Sequence, residues 1–201
     1  MKKIILILVA AIVAVTSVSA QSKRDLQVAK SKATDAAKNL KKEKFKTLDG
    51  ANPYYDLEEI YLQERNGKTV MIGLGKASKF NNARNLANSY VRNEYATNSS
   101  AMVKGRIVNN TSKIGEEEVE DIVAAYETLV LEEIKGALKE ALVLKKEHKD
   151  GDTEVRVFWL VDIEAAHAAR MKAMQHALDE LQLSQKYGSE VSGWIDEGLN
   201  K

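Results

Sequence analysis

The stretch "VMIGLGKASKFNNARNLA" (residues 70–87) decides the fold. It opens as a strand over 68–78. Val70, Ile72 and Leu74 alternate onto one face, and Met71, Gly73, Gly75 and Ala77 onto the other. A helix over 81–97 follows, with Ala83, Leu86, Ala87, Tyr90, Val91 and Tyr95 directed inward. The two glycines admit two readings. A dinucleotide loop needs Gly-x-Gly-x-x-Gly, and here Ser78 holds the third place. An acidic residue should then follow about 20 residues on, but residues 97–100 read Thr-Asn-Ser-Ser. The glycines also fall inside the strand alternation, where they let a helix lie close against the sheet. That packing role is the expectation. The alternative is an anion site of Gly73, Gly75, Ser78 and Asn81, built on backbone N–H groups at the helix start.

Outward from this stretch, helices are expected on both sides. Residues 23–43 carry an Ala-rich stripe of Leu26, Ala29, Ala33 and Leu40. Asn52 and Pro53 mark the start of a short helix with Leu57, Ile60 and Tyr61 on one face. Tyr54, Tyr55 and Tyr61 are expected to pack it onto the domain. Downstream, Met102, Val103, Ile107 and Val108 give 100–110 strand character, with a continued helix through 98–112 as the other reading. "GEEEVEDIVAAYETLV" (115–130) reads as a helix with acidic residues at its positive end. Asp150-Gly151 between apolar runs at 140–148 and 153–162 reads as a hairpin. The second run alternates, with Val155, Val157, Trp159 and Val161 opposite Phe158 and Leu160, as in a central strand covered on both sides. A helix over 163–185 follows, its stripe drawn through His167, Met171, Met174, Leu178 and Leu181. A short amphipathic piece with Trp194 and Ile195 comes last.

The first 20 residues have a different character. "MKK" is a basic start, "IILILVAAIVAV" an apolar run, and Val18 and Ala20 sit at −3 and −1 of a small-residue cleavage site. This is the pattern of a secretory signal peptide ending at Ala20. Export makes nucleotide cofactors scarce. Losing Lys2 and Lys3 takes the formal charge from +1 to −1, which gives no electrostatic footprint for nucleic acid. The 201 residues include no cysteine, which excludes disulfides, thiolate metal sites and a lipid-modified N-terminal cysteine. His167 and His176 lie nine residues apart, on opposite sides of a helix, and His148 precedes the hairpin turn, where exposure is expected. No paired-histidine zinc spacing, Gly-x-Ser-x-Gly or Ser-x-x-Lys occurs. Asn109-Asn110-Thr111 and Asn110-Thr111-Ser112 match glycosylation acceptors of a eukaryotic secretory route.

The segment from Lys68 to Ile163 also carries a resemblance. Its "IGLGKAS" strand, the helix "NNARNLANSYVRNEYA" and the closing strand "EVRVFWLVDI" resemble the Lpp-twenty-type lipoprotein family and the related N-terminal domain of flagellar T-ring assembly proteins. Gly75, Ala77, Ala83 and Ala87 carry the match. With "LKKEKFKTLDG" upstream, the chain looks like a group of secreted proteins common in gut Bacteroidales. The resemblance implies a compact domain with an antiparallel or mixed sheet, an envelope location, and no catalytic residues to carry over. Lipoprotein members need a cysteine after the signal. Here position 21 is Gln, so no lipid anchor is expected.

Together these readings predict an α+β fold in the order α-α-β-α-β-α-β-β-α-α, with a three- to four-stranded, mainly antiparallel sheet. The expected divisions are a signal peptide over 1–20, a helical segment over 21–66, an α/β core over 67–163 and a helical segment over 164–201. The expected protein is secreted and non-enzymatic, in the periplasm or associated with the outer membrane. It would work by contact with an envelope protein or a second copy, with peripheral membrane contact and no catalytic residue, cofactor, metal or nucleic acid. The alternative is a small-ligand or anion-binding protein, or an enzyme, using the turn at Gly73 and Gly75.

Overall fold

A computed structural model describes residues 2–110 and 114–196. The chain forms two compact units, residues 1–67 and 68–201.

The first unit holds α1 (Lys2–Glu43), a two-residue strand β1 (Lys46–Thr47) and α2 (Tyr54–Arg65). Side chains are described from Ser22 onward. Ala29, Ala33 and Leu40 are buried on α1, and Leu57 and Ile60 on α2. The small alanines let the two helices approach, and ion pairs from Arg65 to Asp25 (2.8 Å) and from Lys32 to Glu64 (2.6 Å) flank them. Lys44, at φ 67°, closes α1 by letting the Phe45 amide reach back to the Leu40 carbonyl at 2.9 Å. Pro53 takes the cap position of α2, one residue later than the sequence suggests. Asn52 still contributes, because its side-chain oxygen accepts from the Tyr54 amide at 3.1 Å. Tyr55 does not pack as expected: it is 79% exposed.

The second unit runs β2 (Lys68–Ala77), α3 (Phe80–Asn110), α4 (Glu116–Glu133), a 3-10 turn (Ile134–Gly136), β3 (Leu138–Glu147), β4 (Thr153–Asp162), α5 (Ile163–Glu180), α6 (Ser184–Tyr187) and α7 (Val191–Asp196). Its three long strands pair antiparallel in the order β3-β4-β2, so the α+β class holds and β4 is central, as its two-sided apolar pattern requires. Val155, Val157 and Val161 are buried on one face of β4, and Phe158 and Leu160 on the other. The hairpin forms at Asp150-Gly151. Gly151 sits at φ 88°, and the Asp150 side chain accepts from the Asp152 amide at 3.1 Å. His148 is not the exposed residue expected; it is half-buried, with Nε2 2.8 Å from Glu154.

Further expectations are corrected, and on α3 Leu86 and Tyr90, drawn inward in the sequence, are 52% and 48% exposed. Residues 100–110 are helix, not strand: α3 continues through them. Val103 and Ile107, four apart, are both buried, while Val108 points outward at 59% exposure. A helical period explains those apolar residues better than a period of two, and a Cβ added at Gly105 would meet nothing, so no close approach demands a glycine there. Thr111 and Ser112, which complete the two acceptor motifs, lie outside the described residues.

The stripe of α5 is rotated from the one drawn through its larger residues. Ala166, Ala169, Arg170, Ala173, Met174, Ala177 and Leu178 are buried, while His167 and Met171 are only half-buried. The helix also stops at Glu180, where Gln182 at φ 59° lets the Leu183 amide bond the Leu178 carbonyl at 2.7 Å.

The C-terminal helices pack into the core of the second unit. Tyr187, Val191, Trp194 and Ile195 share one core with Val103, Ile107, Ile122 and Tyr126. Trp194 therefore anchors to the body of its own unit.

Candidate functional site

The two glycines on β2 face α3. A Cβ on Gly75 would sit 2.0 Å from the Ala83 carbonyl oxygen, and one on Gly73 would sit 2.2 Å from that of Ala87. No side chain fits there, so the glycines serve close packing of helix on sheet. Both lie within the strand, which continues to Ala77, and not in a loop that could wrap a phosphate. Ser78 is exposed in the turn and Asn81 is exposed in the first turn of α3. The four residues do not converge on an enclosed anion site.

Further along the same helix and strand, the packing opens. A cavity of about 410 Å³ lies between the start of β2, the middle of α3, the end of β4 and the start of α5. Met71, Tyr90, Val161, Ile163 and Ala166 give it apolar walls. Its polar groups are Thr69, Glu94, Tyr95, Asn98, Ser99 and Arg170.

Arg170 is the unusual member, because it is only 4% exposed. An arginine keeps its charge in a protein, and a buried charge is costly unless it is paired. Its Nη1 donates to the Tyr95 hydroxyl at 2.7 Å, and its Nε is buried with no partner among the described residues. Among the described residues no carboxylate lies within ion-pair distance of the guanidinium. Nor can a tyrosinate supply the missing charge. Burial pushes the Tyr95 phenol above its ordinary value, despite the opposing pull of Arg170. Burial pushes Tyr126 up more strongly, against the lowering effect of its hydrogen bond to Ser99. Both phenols are neutral at physiological pH.

Tyr126 and Ser99 form a second buried pair, oxygen to oxygen at 2.5 Å. Tyr95 and Ser99 stand four apart on α3, so both point the same way, toward α4 and α5. The cavity thus has apolar walls and a polar end, the usual build of a small-molecule pocket.

Another arginine shows what pairing looks like in this unit. Arg84 reaches the Glu140 carboxylate through Nη2 at 2.5 Å and Nε at 3.3 Å. Among the described residues, no three His, Cys, Asp or Glu side chains gather as a metal site would need.

None of the cavity's polar residues stood out in the sequence as a candidate. A retrospective signal exists in "AAHAARMKAM": Arg170 lies three and four residues from His167 and Ala166, inside the alanine pattern that turns out to be the buried face. The chain matches no protein-family model and no curated protein. Among the described residues no helix is long and apolar enough to cross a membrane.

Proposed function

We propose that the chain is an exported, non-enzymatic binding protein of the cell envelope that holds a small organic anion in the cavity at Arg170. The observation that carries the binding is the buried guanidinium, which borders a cavity and whose only partner among the described residues is a neutral phenol. An anion would supply the missing charge. Export rests on the leader pattern of residues 1–20. Cell fractionation with mass spectrometry of the N-terminus tests export: a chain beginning at Gln21 in an envelope fraction is expected, and an intact Met1 overturns it. Thermal melting against small carboxylates, phosphates and sulfonates tests binding. A ligand at 100 times its dissociation constant should stabilise by about 2.7 kcal/mol. No shift with any class overturns the binding role.

Self-association is a second reading, favoured by one observation. β2 ends the sheet, and its Ile72 and Leu74 are 40% and 46% exposed. Apolar residues on a terminal strand favour pairing with a second copy. Light scattering should then show a dimer that Leu74→Lys dissociates; a monomer at high concentration removes this reading.

A further inference from the structure

Resting on the reading that the cavity binds an anion, we infer that the ligand is a monocarboxylate on an apolar body, with its carboxylate on Arg170. The donor geometry favours a carboxylate. Nη1 donates to Tyr95, and the buried Nε has no hydrogen-bond partner among the described residues. A guanidinium left short of partners is suited to the two oxygens of a carboxylate, which it takes through paired N–H donors. The Tyr95 hydroxyl, having accepted from Arg170, keeps its own hydrogen to donate as a third contact.

Charge and helix geometry disfavour phosphate. Among the described residues Arg170 is the only cationic side chain in the lining, and Glu94 lines the same cavity. A dianion would leave excess negative charge beside Glu94, whereas a monoanion matches the single guanidinium. Phosphate sites commonly draw on free amides at a helix start. The start of α5 borders the cavity through Ile163 and Ala166, but its Ala165 amide already donates to the Asp162 side chain at 3.0 Å. The rest of the ligand meets Met71, Tyr90, Val161, Ile163 and Ala166, which suit hydrocarbon and offer little to a sugar or peptide.

The test is calorimetric titration of the full chain with octanoate, octanamide and octyl phosphate, which share one body. Octanoate should bind saturably and about tenfold or more tighter than either of the others. Arg170→Gln should remove most of that preference, and Tyr95→Phe should weaken octanoate severalfold. Circular dichroism checks that each variant is folded. If Arg170→Gln does not fold, Tyr95→Phe, which keeps the ring in the core, decides. Tighter, Arg170-dependent binding of octyl phosphate would overturn the carboxylate assignment and leave the anion-binding reading standing. Octanamide binding as well as octanoate, or octanoate binding unchanged in a folded Arg170→Gln or Tyr95→Phe variant, would overturn the proposed contacts. No binding of any probe would overturn both.

Discussion

One helix and one strand pack in two ways along their shared length. At Gly75 and Gly73 the α3 backbone lies so close to β2 that a single added carbon would collide with it. At Met71 and Thr69, on the same face of the strand, the space between them is open and part of a cavity. Each end also has an arginine. Arg84, near the closed end, holds Glu140 by two hydrogen bonds, while Arg170, at the open end, is buried against a phenol. Where close contact is complete, no ligand is needed to satisfy the interior. Where it is incomplete, a charge is left over, and that difference locates the proposed site.

The sharpest way to break the contrast is at the closed end. Gly75→Val should cost about 3 kcal/mol or more in chemical denaturation, because the obstacle is helix backbone and not a side chain that can turn aside. A loss below about 1 kcal/mol would mean that the helix can retreat, and the two ends would no longer differ.

At the open end, Tyr126→Phe should cost about 1–2 kcal/mol, since Ser99 would be left buried without its partner. The two arginines should then give opposite signs. Arg84→Met should destabilise by about 1 kcal/mol or less, a modest value because its side chain is 39% exposed and solvent screens the pair. Arg170→Met should leave the unliganded protein as stable as before, or more stable by about 1 kcal/mol, because an unbalanced buried charge is replaced by hydrocarbon. A loss of several kcal/mol there would make Arg170 a structural post.

The smallest expected effect lies at the hairpin beside the closed end, where Glu154 stands opposite Lys76 in the β2–β4 register. Burial works to raise the Glu154 carboxyl, but hydrogen bonds from His148 and Lys146 outweigh it and hold the group below its usual 4.5. Its folded value is depressed, so its contribution is present above about pH 4.5 and is lost as pH falls through the folded value. Melting curves should show wild type losing slightly more stability than Glu154→Gln on acidification, by a few tenths of a kcal/mol, because solvent still reaches the side chain and screens its pairs. Equal losses would show that the bonds to Glu154 do not stabilise the hairpin.

The sequence by itself determined the elements whose signals are local. The alternation of 153–162 made β4 central, Asp150-Gly151 placed the hairpin, and the glycines inside the β2 alternation foretold close helix packing. Each of these depends on period or on turn chemistry within a few residues. Only the tertiary structure decided which helix faces are buried. On α5 the larger residues drew the stripe toward His167 and Met171, yet the alanines face inward because neighbouring helices approach closely there. That rotation carries Arg170 into the core. Its guanidinium meets Tyr95, 75 residues away in the chain, and Tyr95 in turn stands one helical turn from Ser99 and its partner Tyr126. No spacing within one element encodes such a meeting. It arises when two helices and two strands converge, and the cavity is the volume that their side chains leave unfilled.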